Sequence, residues 1–191
     1  MLGLAGGVYA QHVADEQRGV RVELAAEGSA SAATGLPVLD HLLGELAATA
    51  RLRLRLEVAP GSADEEVSAA GQALGRALAG PLRADGSWGR GWSTLPADEA
   101  LASVVLEVSE RPLVVSNVDF SGRRVAGLAQ DVLARFLEEL ASGAGLNVHI
   151  RVLEGRDPEH VLAAIFKALG AALGQACRPP LGWTAEKGEH G

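Results

Sequence analysis

Apolar and polar residues alternate along five stretches of the chain. This period of two predicts β-strands with one buried face. The alternation is clearest over 51–58, where Leu52, Leu54 and Leu56 share one face and arginines occupy the other. The arginine face is left for solvent or for a partner. The other predicted strands span 20–25, 102–108, 112–118 and 146–153.

Four further stretches place apolar residues every three or four positions, which predicts amphipathic helices over 40–50, 65–79, 129–141 and 158–175. Asp40 suits the N-cap of the first helix, and Pro158 suits the first turn of the last. Residues 80–97 contain Gly, Pro and Trp without a period, and this predicts a long loop between two halves. The tail 178–191 has no pattern of its own.

The two halves of the chain are similar in sequence. Residues 41–58 align without a gap on 135–152, and after a one-residue insertion residues 72–78 align on 167–173. Chance similarity between Ala- and Leu-rich helices is the alternative explanation. Each half is too small to bury its own sheet face, so the halves must share a core. We predict one compact, duplicated α/β domain, with a first half of 1–95 that includes the linking loop and a second half of 96–191 that includes the tail.

Composition excludes several classes of protein. A chain of 191 residues is long enough to bury a hydrophobic core. Its net charge of −7 argues against a nucleic-acid surface, and its single cysteine, Cys177, excludes a disulfide within the chain. No 18-residue apolar run is present, and the first residues do not resemble a signal peptide. We predict a cytoplasmic protein without nucleic-acid or membrane partners.

Six short motifs add a resemblance to a known family. They are TGLPVLDHLL (34–43), PADEAL (96–101), ERP (110–112), LNVHIRVLEGRD (146–157), EHVLAAIFKAL (159–169) and EKG (186–188). In order and spacing they resemble the imidazoleglycerol-phosphate dehydratases, manganese-dependent lyases of histidine biosynthesis. The resemblance implies a fold of α+β type with duplicated βαββα halves, ribosomal-protein-S5-domain-2-like, with sheets packed on helices. It also implies a hollow 24-subunit shell with active sites between subunits.

The resemblance implies two manganese ions held by paired His-His-x-x-Glu helix starts and by further histidines. Residues at this spacing share one helix face, and imidazole and carboxylate groups suit manganese. Both helix starts are altered here. The first carries Asp64, Glu65 and Ser68 at the three ligand positions, and the second carries Glu159, His160 and Ala163. A full two-manganese site is therefore not expected.

A reduced metal site stays possible on sequence grounds. Its candidate ligands are His41, His149 and His160, which match family ligand positions, with Glu65 and Glu159. Carboxylates suit manganese or another hard divalent cation such as magnesium. The alternative is that acids at a helix start only satisfy the helix dipole, without any metal.

The resemblance also implies a phosphate site and two acidic groups. Arg111, Lys167 and Lys187 match the family's arginine and two lysines, which are suited to bind a small phosphorylated substrate, although each alone is an ordinary surface charge. Glu16 and Asp98 match family acids and are the predicted catalytic groups. Beside a metal, Asp98 would transfer a proton or hold a water molecule.

Three functions follow from these residues. The first is a metal-dependent lyase of the histidine-biosynthesis lineage with impaired or altered activity. The second is a catalytically inactive structural or regulatory protein that forms the family's homo-oligomeric shell or co-assembles with an active paralogue. The third is a protein that binds another small phosphorylated ligand.

Overall fold

A computed structural model describes residues 13–15, 19–118, 124–125 and 128–180 of the chain. Ten strands and four helices lie within these residues. The first half contains β1 (Val13–Asp15), β2 (Val20–Leu24), β3 (Ser29–Ala33), α1 (Pro37–Ala50), β4 (Leu52–Glu57) and α2 (Ala63–Leu82). The second half contains β5 (Arg90–Ala97), β6 (Ala100–Val108), β7 (Leu113–Ser116), β8 (Arg124–Val125), β9 (Leu128–Ala129), α3 (Gln130–Ala144), β10 (Leu146–Glu154) and α4 (Pro158–Ala176).

The two large sheets have the same topology. The first has the strand order β1-β2-β4-β3 and the second has the order β5-β6-β10-β7. In both sheets the third strand is antiparallel to the second and parallel to the fourth. The register also repeats. Arg55 on β4 lies opposite Arg21 of β2 and Ser31 of β3, and its equivalent on β10, His149, lies opposite Val105 of β6 and Val115 of β7. The duplicated α/β fold predicted from the sequence is therefore confirmed.

The order of elements within each half corrects the βαββα prediction. Three strands precede the first helix, and a strand and a second helix follow it, with the β8–β9 hairpin added in the second half. Sequence reasoning missed β3 because its sequence, SASAA, contains only serine and alanine and so shows no hydrophobic alternation. Only tertiary contact with β4 identifies it as a strand.

The predicted long loop over 80–97 is also wrong. Helix α2 continues to Leu82, and residues 90–97 form the edge strand β5, which pairs with β6. The strand was not predicted because Gly91 and Pro96, which are typical of loops, lie within its sequence. Proline is tolerated there because an edge strand has one side without ladder hydrogen bonds.

The four helices pair across the halves, α1 on α4 and α2 on α3. Glycines allow both close approaches at equivalent positions. A Cβ atom on Gly75 would lie 2.5 Å from the carbonyl oxygen of Leu140, and one on Gly170 would collide with the carbonyl oxygen of Leu46. The inward faces of both sheets complete a continuous hydrophobic core. In the part of the chain described here, no helix is long and apolar enough to cross a membrane.

Candidate functional site

A cavity of about 400 Å³ lies where the first turns of α1 and α4 meet the β5–β6 hairpin. Its polar lining comes from three elements: His41 and Glu45 on α1, Asp98 in the hairpin turn, and Glu159, His160 and Lys167 on α4. Apolar residues of the same elements form the rest of the wall. Five residues predicted from the sequence meet here, namely His41, Asp98, Glu159, His160 and Lys167.

Glu99 holds His160 in place at the head (the N-terminal end) of α4. One oxygen of Glu99 lies 2.5 Å from Nδ1 of His160, and the other accepts backbone N–H bonds from Arg156 (3.1 Å) and Asp157 (2.9 Å). Asp157 caps the helix by accepting a 2.8 Å bond from the Glu159 N–H. Glu99 therefore ties the β5–β6 hairpin to the start of α4 and fixes the imidazole ring.

This arrangement changes the acid–base properties of both partners. The backbone N–H of Asp157, followed by the His160 side chain, lowers the pKa of Glu99 to about 2. The hydrogen bond to Glu99 is the main cause that raises the pKa of His160 above its ordinary 6.5. Both shifts favour the charged forms, an ionised Glu99 and a protonated His160.

Asp98 approaches the other side of the same ring. Its Oδ2 lies 3.5 Å from Nε2 of His160. The hairpin turn holds Asp98 at a φ of 49°, in the left-handed region that aspartate tolerates better than most residues. The imidazole is thus placed between two carboxylates, which suits a proton donor better than a general base.

An ion pair joins the two helices along the same cavity. Nζ of Lys167 on α4 lies 3.6 Å from Oε2 of Glu45 on α1, and both side chains are about 30% exposed, at 31% and 29%. Partial burial makes this contact less screened than a surface ion pair. The lysine predicted to bind phosphate therefore already has a carboxylate partner within the chain.

The equivalent helix start in the first half is organised differently. Glu65 and Ser62 form a capping box at the head of α2, in which the Glu65 carboxylate accepts a 2.9 Å bond from the Ser62 N–H. The hydrogen bonds from the Ser62 backbone and then the Ser62 hydroxyl lower the pKa of Glu65. Asp64 lies 3.8 Å from the Arg135 guanidinium on α3. Here the acids cap a helix and pair with an arginine.

The remaining predicted residues lie apart from the cavity. His149 is exposed on the outer face of the second sheet, in a groove with Trp92, Val105 and Asn147. Arg111 is exposed in the turn after β6, where its N–H donates a 3.1 Å bond to the Ser109 hydroxyl. Glu16 and Lys187 fall outside the described residues.

The residues of one chain do not fit the two-manganese group that the resemblance implies. Among the described residues, no group of three or more His, Cys, Asp and Glu side chains is gathered closely enough to hold a metal ion. The guanidinium of Arg135 beside Asp64 would repel a divalent cation at the head of α2. At the head of α4, Ala163 occupies the third ligand position and has no ligating atom.

Three residues that matter to these sites were not among the predicted ones. Glu45 and Arg135 act through contacts between helices that are distant in the chain. The repeat carried a signal for Glu45, because it aligns with an identical Glu139. In the structure Glu139 accepts a 2.8 Å bond from Gln72, the equivalent of Lys167. Glu99 directly follows Asp98 in the sequence, and of these two acids only Asp98 was predicted to be catalytic.

The fold and the cavity define the class of protein: a duplicated α/β protein with a histidine-bearing polar cavity at one helix head. The sequence model named imidazoleglycerol-phosphate dehydratase matches residues 34–173. The dehydratase of Syntrophobacter fumaroxidans is 38% identical over 157 residues, which cover 80% of this chain and 79% of that protein. The one from Heliobacterium modesticaldum is 34% identical over 180 residues and 91% of each chain.

Two solved structures are similar in fold as well. The imidazoleglycerol-phosphate dehydratase of Staphylococcus aureus superposes with a TM-score of 0.73 at 26% identity, covering 84% of this chain and 95% of that one. The enzyme of Pyrococcus furiosus gives a TM-score of 0.67 at 26% identity, covering 89% and 94%. This chain belongs to the imidazoleglycerol-phosphate dehydratase family, and the prediction from the six motifs is confirmed.

Proposed function

We propose that this protein, whose relatives are dehydratases of histidine biosynthesis, is a divergent member with strongly impaired metal-dependent lyase activity. The observation that carries the proposal is the state of the first helix start. Asp64 faces the Arg135 guanidinium, and Glu65 is used in a capping box. A positive charge beside Asp64 and the hydrogen bonds already made by the Glu65 carboxylate oppose the binding of a divalent cation.

The second helix start supports the same proposal. His160 keeps the residue type of a family ligand, with Glu99 on its Nδ1 and Asp98 3.5 Å from its Nε2. At the third ligand position, however, Ala163 has no ligating atom, so this helix start supplies fewer ligands than His-His-x-x-Glu would. We also propose that the protein is located in the cytoplasm, where the histidine-biosynthesis pathway of its relatives is expected.

Turnover of imidazoleglycerol phosphate tests this function. The protein and its Staphylococcus aureus relative are assayed side by side at saturating manganese. Loss of groups that only support metal ligands already costs about 10–100-fold, so loss of ligands themselves predicts a kcat/KM at least about 100-fold below the relative's. A kcat/KM above that limit would overturn the proposal.

We also propose that the protein self-associates through the outer face of its second sheet. Of the five large apolar side chains exposed in the described part of the chain, four lie there: Trp92 (54% exposed), Val105 (51%), Leu113 (54%) and Leu153 (56%). Apolar residues gathered on one face mark interaction surfaces. This favours a structural or regulatory role in a homo-oligomer as the second candidate function.

Light scattering coupled to gel filtration tests the interface. Val105→Lys combined with Leu113→Lys is expected to convert an oligomer of many subunits into smaller species. Leu24→Lys is the matched control, because Leu24 is 47% exposed on the first sheet and lies away from this face. A monomeric native protein, or an oligomer insensitive to the double substitution, would contradict this interface.

A further inference from the structure

The cavity at the head of α4 carries more negative than positive charge. Three carboxylates line it, those of Glu45, Asp98 and Glu159, against one ammonium group, that of Lys167. The second potential cation, His160, already has Glu99 beside it. The described residues of a single chain therefore present a phosphate with repulsion and an organic cation with attraction.

The position of Glu45 decides whether the cavity favours a phosphate or an organic cation. Among the described residues, Lys167 is the only lysine or arginine in the lining, and Glu45 lies 3.6 Å from its ammonium group with both side chains mostly shielded from solvent. A phosphate that reached Lys167 would have to displace Glu45 or lie beside its carboxylate. Either event weakens phosphate binding, because like charges at short range are costly in a partly buried setting.

The same contact in the other half shows what Lys167 adds. Glu139 of α3, equivalent to Glu45, accepts its bond from the uncharged amide of Gln72. The helix pairs therefore pack without a lysine at this position. Both halves have the carboxylate, but its partner is an uncharged amide in one and an ammonium group in the other, so the charge pairing of Glu45 with Lys167 is what distinguishes the cavity.

We propose that Glu45 is a specificity-determining residue, which neutralises Lys167 and shifts the cavity from phosphate towards small organic cations such as amines. This inference rests on the proposed loss of the family's dehydration in the same cavity. It is tested by binding in metal-free protein, so its failure is distinguishable from recovery of turnover.

Calorimetric titration with two probes tests the proposal. One probe is inorganic phosphate and the other is 1,4-diaminobutane, a dication at pH 7.5. In the native protein we expect diaminobutane to bind more tightly than phosphate. In Glu45→Gln we expect phosphate affinity to rise and diaminobutane affinity to fall, each by about tenfold, the effect of about one charge interaction.

Two further variants keep the test specific. Adding Lys167→Gln to Glu45→Gln is expected to abolish the gain in phosphate affinity, which shows that the freed lysine causes it. Glu139→Gln removes the equivalent carboxylate outside the cavity and is expected to change neither affinity. Thermal unfolding of every variant confirms that the folded state is being compared.

Three results would overturn the proposal. The first is native protein that binds phosphate as tightly as Glu45→Gln does. The second is diaminobutane binding that is absent from the native protein or insensitive to Glu45→Gln. The third is an equal response to Glu139→Gln, since that would trace the effect to overall charge and not to the cavity.

Discussion

The heads of α2 and α4 occupy equivalent positions in the two halves of the chain, and they differ in what their polar residues do. At α2, Asp64 pairs with Arg135 and Glu65 caps its own helix. At α4, Glu159 and His160 line a cavity that His41, the repeat equivalent of Arg135, also lines. The acids of one copy form a capping box and an ion pair with an arginine, whereas the other copy places a carboxylate and an imidazole in a cavity between helices.

The packing beneath these heads has not diverged in the same way. Gly75 and Gly170 make equivalent close approaches to Leu140 and Leu46. Duplication therefore preserved the positions on which both halves depend for a shared core, and it left the helix heads free to change. Function is to be sought where the halves differ.

The glycine contacts give the largest expected effects. Gly170→Ala places a Cβ against the Leu46 carbonyl oxygen, and overpacking of this kind costs up to about 3 kcal/mol. We expect the free energy of unfolding to fall by about 2–3 kcal/mol, measured by urea denaturation. Gly75→Ala should behave alike if the halves are equivalent in packing.

Gly44→Ala is the control for this pair. Gly44 lies within α1, and apart from its neighbours and its own helix backbone no heavy atom of the described residues lies within 4 Å of an added Cβ. Alanine there should stabilise the protein by about 0.5–1 kcal/mol, the helix-propensity difference. Equal and small effects of all three substitutions would refute the close packing described for both helix pairs.

The cap of α2 gives an effect of intermediate size. Ser62→Ala removes the hydroxyl of the capping box and should lower the free energy of unfolding by about 1 kcal/mol. The pKa of Glu65 should rise only part of the way, because the bond from the Ser62 hydroxyl is lost while the larger cause, the bond from the Ser62 backbone N–H, remains. Carboxyl resonances in NMR report that change. Any accompanying loss of diaminobutane binding would mean that the two helix heads are not independent.

The head of α4 should instead respond to pH. The pKa of Glu99 is lowered to about 2, so its contribution is present above about pH 4.5 and is lost as the pH falls towards 2. The pKa of His160 is raised, so its contribution is complete below pH 6.5 and is lost as the pH rises through the raised value. The contact is therefore strongest between about pH 4.5 and 6.5.

An NMR titration of the His160 ring checks this assignment. The native midpoint should lie above 6.5, and Glu99→Gln should lower it, because the bond to Glu99 is the main cause of the shift. Ser62→Ala serves as the comparison and should leave the His160 midpoint unchanged. A native midpoint at or below 6.5 would contradict the described pairing.

Strands with clear alternation were predictable from the sequence, as 51–58 shows, whereas SASAA over Ser29–Ala33 carried no such signal. The motifs placed His160 and Asp98 at the site, because each residue belongs to a short local motif, one at the start of α4 and the other in the β5–β6 turn. They did not reveal that Glu45 meets Lys167 or that Arg135 meets Asp64, since those contacts depend on how distant helices pack.

One part of the site was readable from the sequence but was interpreted as metal chemistry. Ser62 and Glu65 form the Ser-x-x-Glu spacing of a capping box at the start of an apolar helix. That spacing favours a helix cap over a metal ligand for Glu65. The capping box of Glu65 was therefore readable from the local sequence, beside the match of Glu65 to a family ligand position.

Manganese binding to the purified protein tests the central claim most directly. It is measured as the decrease in the electron paramagnetic resonance signal of free manganese. The account predicts no stoichiometric binding at micromolar manganese. As a positive control, binding should appear when both motifs are restored by Asp64→His, Glu65→His, Ser68→Glu, Glu159→His and Ala163→Glu. Two tightly bound manganese ions per chain in the unaltered protein would contradict the claim that these helix heads have lost the family's metal centre.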